Sequence, residues 1–135
     1  MKQVWETIPM KLWQNNSILE YDFPASSGKG YVGAAHGYIG ILYMILKAFE
    51  YIPLQEIPNN YHRIVKTTWE YILCLQTEVG NFPLIDGYEI SDCVHWWHGA
   101  PGAIPFLIQW YEYYFEPKYL NSALKAGELV RAFQI

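Results

Sequence analysis

A five-residue pattern occurs twice in this chain: His36-Gly37-x-x-Gly40 and His98-Gly99-x-x-Gly102, 62 positions apart. Each copy leads into an apolar stretch of helical length, and each stretch is followed by proline and a second helical stretch. A repeated unit of loop, helix, turn and helix points to a stacked or closed array of helical hairpins. In such an array each unit hides its apolar faces against its neighbours. Two units are few for this, because the outer faces of both remain to be covered.

The helices can be placed from punctuation and periodicity. The run from Tyr38 to near Tyr51 is apolar on most sides and rich in Leu and Met, which predicts a largely buried helix closed by Pro53 and Pro58. A second helix is expected from about Tyr61 to Gln76, capped by Asn59 and Asn60. Its stripe of Val65, Trp69, Ile72 and Gln76, broadened by Ile64, Thr68 and Leu75, gives one apolar face. Residues 78–94, with Gly80, Asn81, Pro83 and Gly87, read as a long connection. A third helix is expected from Pro101 to Phe115, and a fourth, opened by Pro117, from Lys118 to Phe133. At the N-terminus, 1–13 predicts a short helix weakened by Pro9, and 15–30 a loop.

Composition supports the array. The chain of 135 residues is 52% hydrophobic, 18% aromatic and only 16% charged, too apolar for a small domain to hide alone. The excess calls for packing against further chain or a partner. A net charge of -4 without a basic patch speaks against nucleic acid. The longest apolar run, 38–49, is broken by Lys47 and is too short to span a bilayer. Peripheral attachment is then the one membrane role open to it. Cys74 and Cys93 form neither a disulfide framework nor a paired metal spacing, which places the chain in a reducing cytoplasmic setting.

A histidine at the mouth of a helix lies at the positive end of the dipole, which favours its neutral form. A neutral imidazole accepts a proton and can return it. The glycine after each histidine permits a sharp turn, and the second, one helical turn on, permits close packing. Structural readings stand beside this chemistry. His98 is expected to be a helix-entry residue bonded to backbone, His62 a solvated helix-start residue, Cys74 a buried core residue, and Trp96 and Trp97 packing residues.

The stretch Tyr31-Val32-Gly33-Ala34-Ala35-His36-Gly37 with Gly40 and Ile41, then Gly80-Asn81-Phe82-Pro83, then 94–102 (VHWWHGAPG), closely resembles the signatures of the LanC-like (lanthionine synthetase C-like) family, eukaryotic branch. The resemblance runs from about residue 31 to the end and includes Lys118-Tyr119-Leu120. It implies an all-α fold, an α/α toroid of helical hairpins. Here the toroid would be incomplete: about two hairpins over 31–135, after an N-terminal extension over 1–30. It also implies zinc chemistry. Family enzymes add the thiol of cysteine or glutathione to dehydroamino acids, zinc lowering the thiol pKa so that thiolate attacks.

Carried across by position, His36 matches the family's acid/base histidine. The family's first zinc-binding cysteine falls on Trp97, which cannot bind zinc, and the other two ligands belong to a later repeat beyond Ile135. No zinc is therefore expected here. Cys93 lies four residues before Trp97, about 12 Å away if that segment is extended. His95 and His98 could pair on a metal only with ligands from elsewhere.

Three functional expectations follow: a degenerate or truncated member that keeps the scaffold and binds glutathione or a protein partner; a fragment of an active thiol-adding enzyme; and, from a different class, a carbohydrate-active α/α toroid. The last requires a pair of carboxylates, for which Asp86, Glu89 and Asp92 are the loop candidates.

Overall fold

The computed structural model describes residues 11–12, 19–20, 30–87 and 93–133. Two short strands, β1 (Lys11–Leu12) and β2 (Leu19–Glu20), pair antiparallel, Lys11 opposite Glu20 and Leu12 opposite Leu19. The rest is helical: α1 (Tyr38–Tyr51), α2 (Asn59–Cys74), α3 (Ala100–Tyr114) and α4 (Pro117–Phe133), with a single 3-10 turn at Leu54–Glu56 between the first two. The chain is thus all-α in character, two helical hairpins of a partial α/α toroid. The expected helix over 1–13 lies mostly outside the described residues, and where described, Lys11–Leu12 is strand. The expected loop over 15–30 contains β2.

The core lies between the hairpins. Ile39, Leu42, Ile45, Leu46 and Phe49 of α1 are buried with Ile64, Val65, Trp69 and Ile72 of α2. The α2 residues recur at spacings of one, four and three, which puts them on one side of a helix. From α3, Ala103, Leu107 and Trp110 complete the core. Trp69 stacks on Trp110, ring centroids 4.9 Å apart and planes 12° from parallel, and so joins the hairpins. In α4 the buried residues Ser122, Ala123 and Ala126 are small, which lets α4 lie close to α3.

Asn59 and Asn60 do not cap α2. Pro58 holds the N-cap position with φ -56° and ψ 132°, and the Tyr61 amide closes the first turn on the Pro58 carbonyl at 2.9 Å. Proline's fixed φ brings the chain into the helix, so both asparagines become first-turn residues. The helix also ends before Gln76. Outside it, the Gln76 amide donates to the Gly80 and Ser122 carbonyls at 3.1 and 3.0 Å and accepts from the Ser122 hydroxyl at 2.6 Å. The polar end of the predicted apolar stripe therefore ties α2 to α4. Cys74 is exposed rather than buried, because the helix turns it away from the Trp69–Ile72 face.

His62 is not a solvated residue. Its ring packs on Phe49 at 4.3 Å, and its Nε2 is buried with no hydrogen-bond partner among the described residues. Burial holds its pKa below the ordinary 6.5. Folding therefore favours the neutral ring. Above about pH 6.5 this is costless; as the pH falls through that value the unfolded chain gains a proton that the fold resists, and stability declines until the lowered folded pKa is passed. Denaturant unfolding at pH 7.5 and 5.5 is expected to show a loss at the lower pH that His62→Phe reduces.

Candidate functional site

The two His-Gly motifs are the same structure built twice. A methyl group added to Gly37 would collide with the Tyr31 carbonyl, and one on Gly99 with the Cys93 carbonyl. Both oxygens belong to the residue five before the histidine. Likewise Gly40 abuts the Ala34 carbonyl and Gly102 the Trp96 carbonyl, each two before the histidine. The loop that precedes each helix folds back against it, and the glycines make room for that fold.

One difference separates the copies. In the first, the Tyr38 amide donates directly to the Tyr31 carbonyl at 3.0 Å. In the second, the equivalent groups, the Ala100 amide and the Cys93 carbonyl, are joined through the side chain of Asn81. Asn81 Oδ1 accepts from Ala100 N at 2.8 Å, and Asn81 Nδ2 donates to Cys93 O at 3.1 Å. Asn81 is buried and is oriented from the α2 end: Thr77 N donates to Asn81 O at 2.8 Å and Asn81 N to Thr77 Oγ1 at 3.0 Å. The sequence singled out Gly80-Asn81-Phe82-Pro83 without a task for Asn81. A task could not be read there, because the bond partners lie 12 and 19 residues away.

The motifs meet each other. Residues 30–32 run alongside 84–86: Val32 N donates to Leu84 O at 3.0 Å, Asp86 N to Gly30 O at 3.1 Å, and Tyr31 bridges to Ile85. The Ala35 amide reaches the Trp97 carbonyl at 3.4 Å, and Gly33 lies so close to Trp97 and His98 that no side chain fits there. Five rings then gather at one end of the hairpins. His36, exposed, has Trp97 at 5.7 Å, His98 at 5.9 Å and Tyr31 at 6.2 Å between centroids. His98 stacks on Tyr31 at 5.8 Å and meets His95 edge-on at 5.4 Å.

Several expectations change here. The His98 ring is not bonded to backbone: its Nδ1 is buried against Gly33 with no hydrogen-bond partner among the described residues. Instead it is the His95 ring, through Nδ1, that accepts the His98 amide at 3.3 Å. Burial lowers the His98 pKa, and the neighbouring His95 and His36 charges lower it further. Trp96 and Trp97 are half exposed, and Trp97, 56% accessible, packs edge-on against His36. The segment 93–99 is not extended but curls, His95 N donating to His98 O at 3.1 Å. Among the described residues no three His, Cys, Asp or Glu side chains are grouped to hold a metal.

Of the loop acids, Asp86 accepts the Tyr71 hydroxyl with both oxygens at 2.7 Å, and burial followed by that bond pushes the Tyr71 phenol well up. Glu89 and Asp92 lie outside the described residues. Among the described residues no helix is long and apolar enough to cross a membrane.

The cluster offers three imidazoles side by side, two of them, His36 and His95, exposed. Such a group can exchange protons with a molecule bound over Trp97 and His36. Comparison with known proteins adds that the family model described as lanthionine synthetase C-like protein matches residues 11–132. The chain is 33% identical over 117 residues to a zebrafish (Danio rerio) protein named glutathione S-transferase LANCL1, which covers 87% of this chain and 27% of that relative. The chain thus spans about a quarter of that relative's length.

Proposed function

Given that the chain belongs to the lanthionine synthetase C-like family, we propose that it is a cytoplasmic member in which zinc-dependent thiol addition is lost and binding of a small thiol such as glutathione is kept. Residues 31–135 carry the toroid hairpins on this reading, and 1–30 lead into them. The observation that carries it is Trp97. It stands where family resemblance puts a metal-binding cysteine, and its half-exposed ring lies edge-on to His36, 5.7 Å away. An indole has no lone pair to give a metal, but it offers a flat apolar wall to a peptide-like ligand. His36 then supplies a hydrogen-bonding group on that wall rather than a catalytic proton. The name of the zebrafish relative supports glutathione as the thiol.

A second reading, part of an active thiol-adding enzyme, is favoured by the exposure of His36 at the position that resembles the family's acid/base histidine. There it would return a proton to the α-carbon after thiol attack. Two measurements separate the readings. Titration with glutathione is expected to change tryptophan emission saturably, with the change reduced in Trp97→Ala. Elemental analysis is expected to find zinc well below one per chain. Stoichiometric zinc together with addition of glutathione to a dehydroalanine peptide would establish the second reading, and no emission change up to millimolar glutathione would remove the first.

A further inference from the structure

The Tyr71 hydroxyl, near the end of α2, donates to both carboxylate oxygens of Asp86 at 2.7 Å. Neither His-Gly motif contains either residue, yet the bond bears on both motifs. Burial, and then the bond itself, keeps the Tyr71 phenol protonated throughout the physiological range. The donor is therefore always present. A hydroxyl bonded to a carboxylate is roughly twice as strong a pair as two neutral groups.

The place of Asp86 in the loop gives the bond its reach. Asp86 is the last residue before Gly87, whose φ of 87° turns the chain. Four residues earlier, Phe82 is fully buried and anchors the other end of this stretch. Between these anchors Leu84 O accepts from Val32 N at 3.0 Å and Asp86 N donates to Gly30 O at 3.1 Å, which clamps Tyr31 opposite Ile85. The Tyr31 ring touches a histidine of each motif, stacked on His98 at 5.8 Å and edge-on to His36 at 6.2 Å. Its carbonyl accepts the Tyr38 amide at 3.0 Å, so Tyr31 moves with α1 and the first motif. Residues 84–86 instead lead on to the second motif. The direct backbone link between the motifs, from Ala35 N to Trp97 O at 3.4 Å, is long for such a bond. Holding 84–86 in place is thus a main restraint on how the two motifs meet.

We propose that Tyr71 and Asp86 are a positioning pair for the imidazole cluster: their bond holds residues 84–86 on α2, keeps Tyr31 stacked on His98, and so sets where His98 lies relative to His36. The pair touches no ligand and acts through Tyr31. The inference rests on the reading that the cluster is the binding site, but its test is made without ligand, so the two can fail separately.

The test is nuclear magnetic resonance of the 135-residue chain as wild type, Tyr71→Phe, Asp86→Ala and Asp86→Asn. Tyr71→Phe removes one oxygen and leaves the ring in place, so the helices persist. The His98 ring protons are expected to leave the shielded position that stacking on Tyr31 gives them, and to move toward their position in Tyr31→Leu. The Val32 and Asp86 amides should lose about tenfold or more of their protection from hydrogen exchange, while amides within α1 and α2 keep theirs. The His62 ring is the internal control. It packs on Phe49, roughly 13 Å along α2 from Tyr71, and should not shift. Asp86→Ala should match Tyr71→Phe, and the double variant should be no worse than either, since all three remove one bond. Asp86→Asn keeps an oxygen that accepts the phenol and should restore most of the His98 position. His98 signals unchanged in Tyr71→Phe overturn the proposal. Protection lost evenly over the helices, or a His62 shift as large as that of His98, overturns it too, because either marks general loosening. Additive effects in the double variant do the same by showing that the two side chains act apart.

Discussion

Gly102→Ala is expected to cost about 3 kcal/mol or more of folding stability, although alanine is the better helix former by about 1 kcal/mol. The added methyl would run into the Trp96 carbonyl and come within 2.9 Å of the Ala34 Cβ. The obstacle is backbone on one side and a neighbouring motif on the other, and neither can rotate away. Relief would require the 96–98 segment to move, and that segment carries Trp97 and His98 against His36. Gly127→Ala, in the middle of α4, is the internal control. Nothing lies within 4 Å of its would-be Cβ, so it should gain about the full helix-propensity difference, near 1 kcal/mol. Denaturant unfolding of both variants checks the pair. Equal behaviour would mean that the second motif does not fold back on its helix as described.

The second large effect is expected at Asn81. Asn81→Leu should destabilise the protein by about 2–4 kcal/mol, because it removes the acceptor of the buried Ala100 amide and the donor to the part-buried Cys93 carbonyl. Asn81→Asp should cost less, since a carboxylate still accepts from Ala100 at the N-terminus of α3, where negative charge is favourable. It cannot donate to Cys93 while ionised, so part of the loss remains. The order wild type, Asp, Leu in thermal or denaturant stability is the result to look for. Equal stability of the Asp and Leu variants would show that the acceptor bond to Ala100 contributes little. Because Asn81 anchors the start of the 93–99 curl, both variants should also change the emission of Trp96 and Trp97 in the folded state.

Both predictions concern the same design, a histidine motif repeated with one substitution of parts. The first copy closes by a direct amide-to-carbonyl bond, and the second by an inserted asparagine. Either way the loop is held on its helix, and the two histidines are brought to the same end of the hairpins. His36 remains accessible there while His98 is pressed against Gly33. Equivalent sequence positions have thus acquired different environments, one suited to contact with a ligand and one to packing.

What the sequence determined by itself was the periodic part of the protein. The His-Gly-x-x-Gly repeat, the apolar runs and the prolines located four helices and two hairpins, because hydrophobic spacing and proline punctuation act within a few residues. The same motifs pointed to the family, and their order placed a tryptophan at Trp97. The tertiary structure decided the rest, where the deciding partner is distant in sequence. Asn81 bridges groups 12 and 19 residues on, His62 is shut against Phe49 from the neighbouring helix, and His98 is desolvated by Gly33 of the other motif. Cys74, expected in the core, is exposed, and Trp97, expected as a packing residue, is half exposed. A residue's type states what it tends to bury, but the rotation of its helix and the path of its loop settle whether it does. Those are set by how the hairpins pack together, which no local pattern contains.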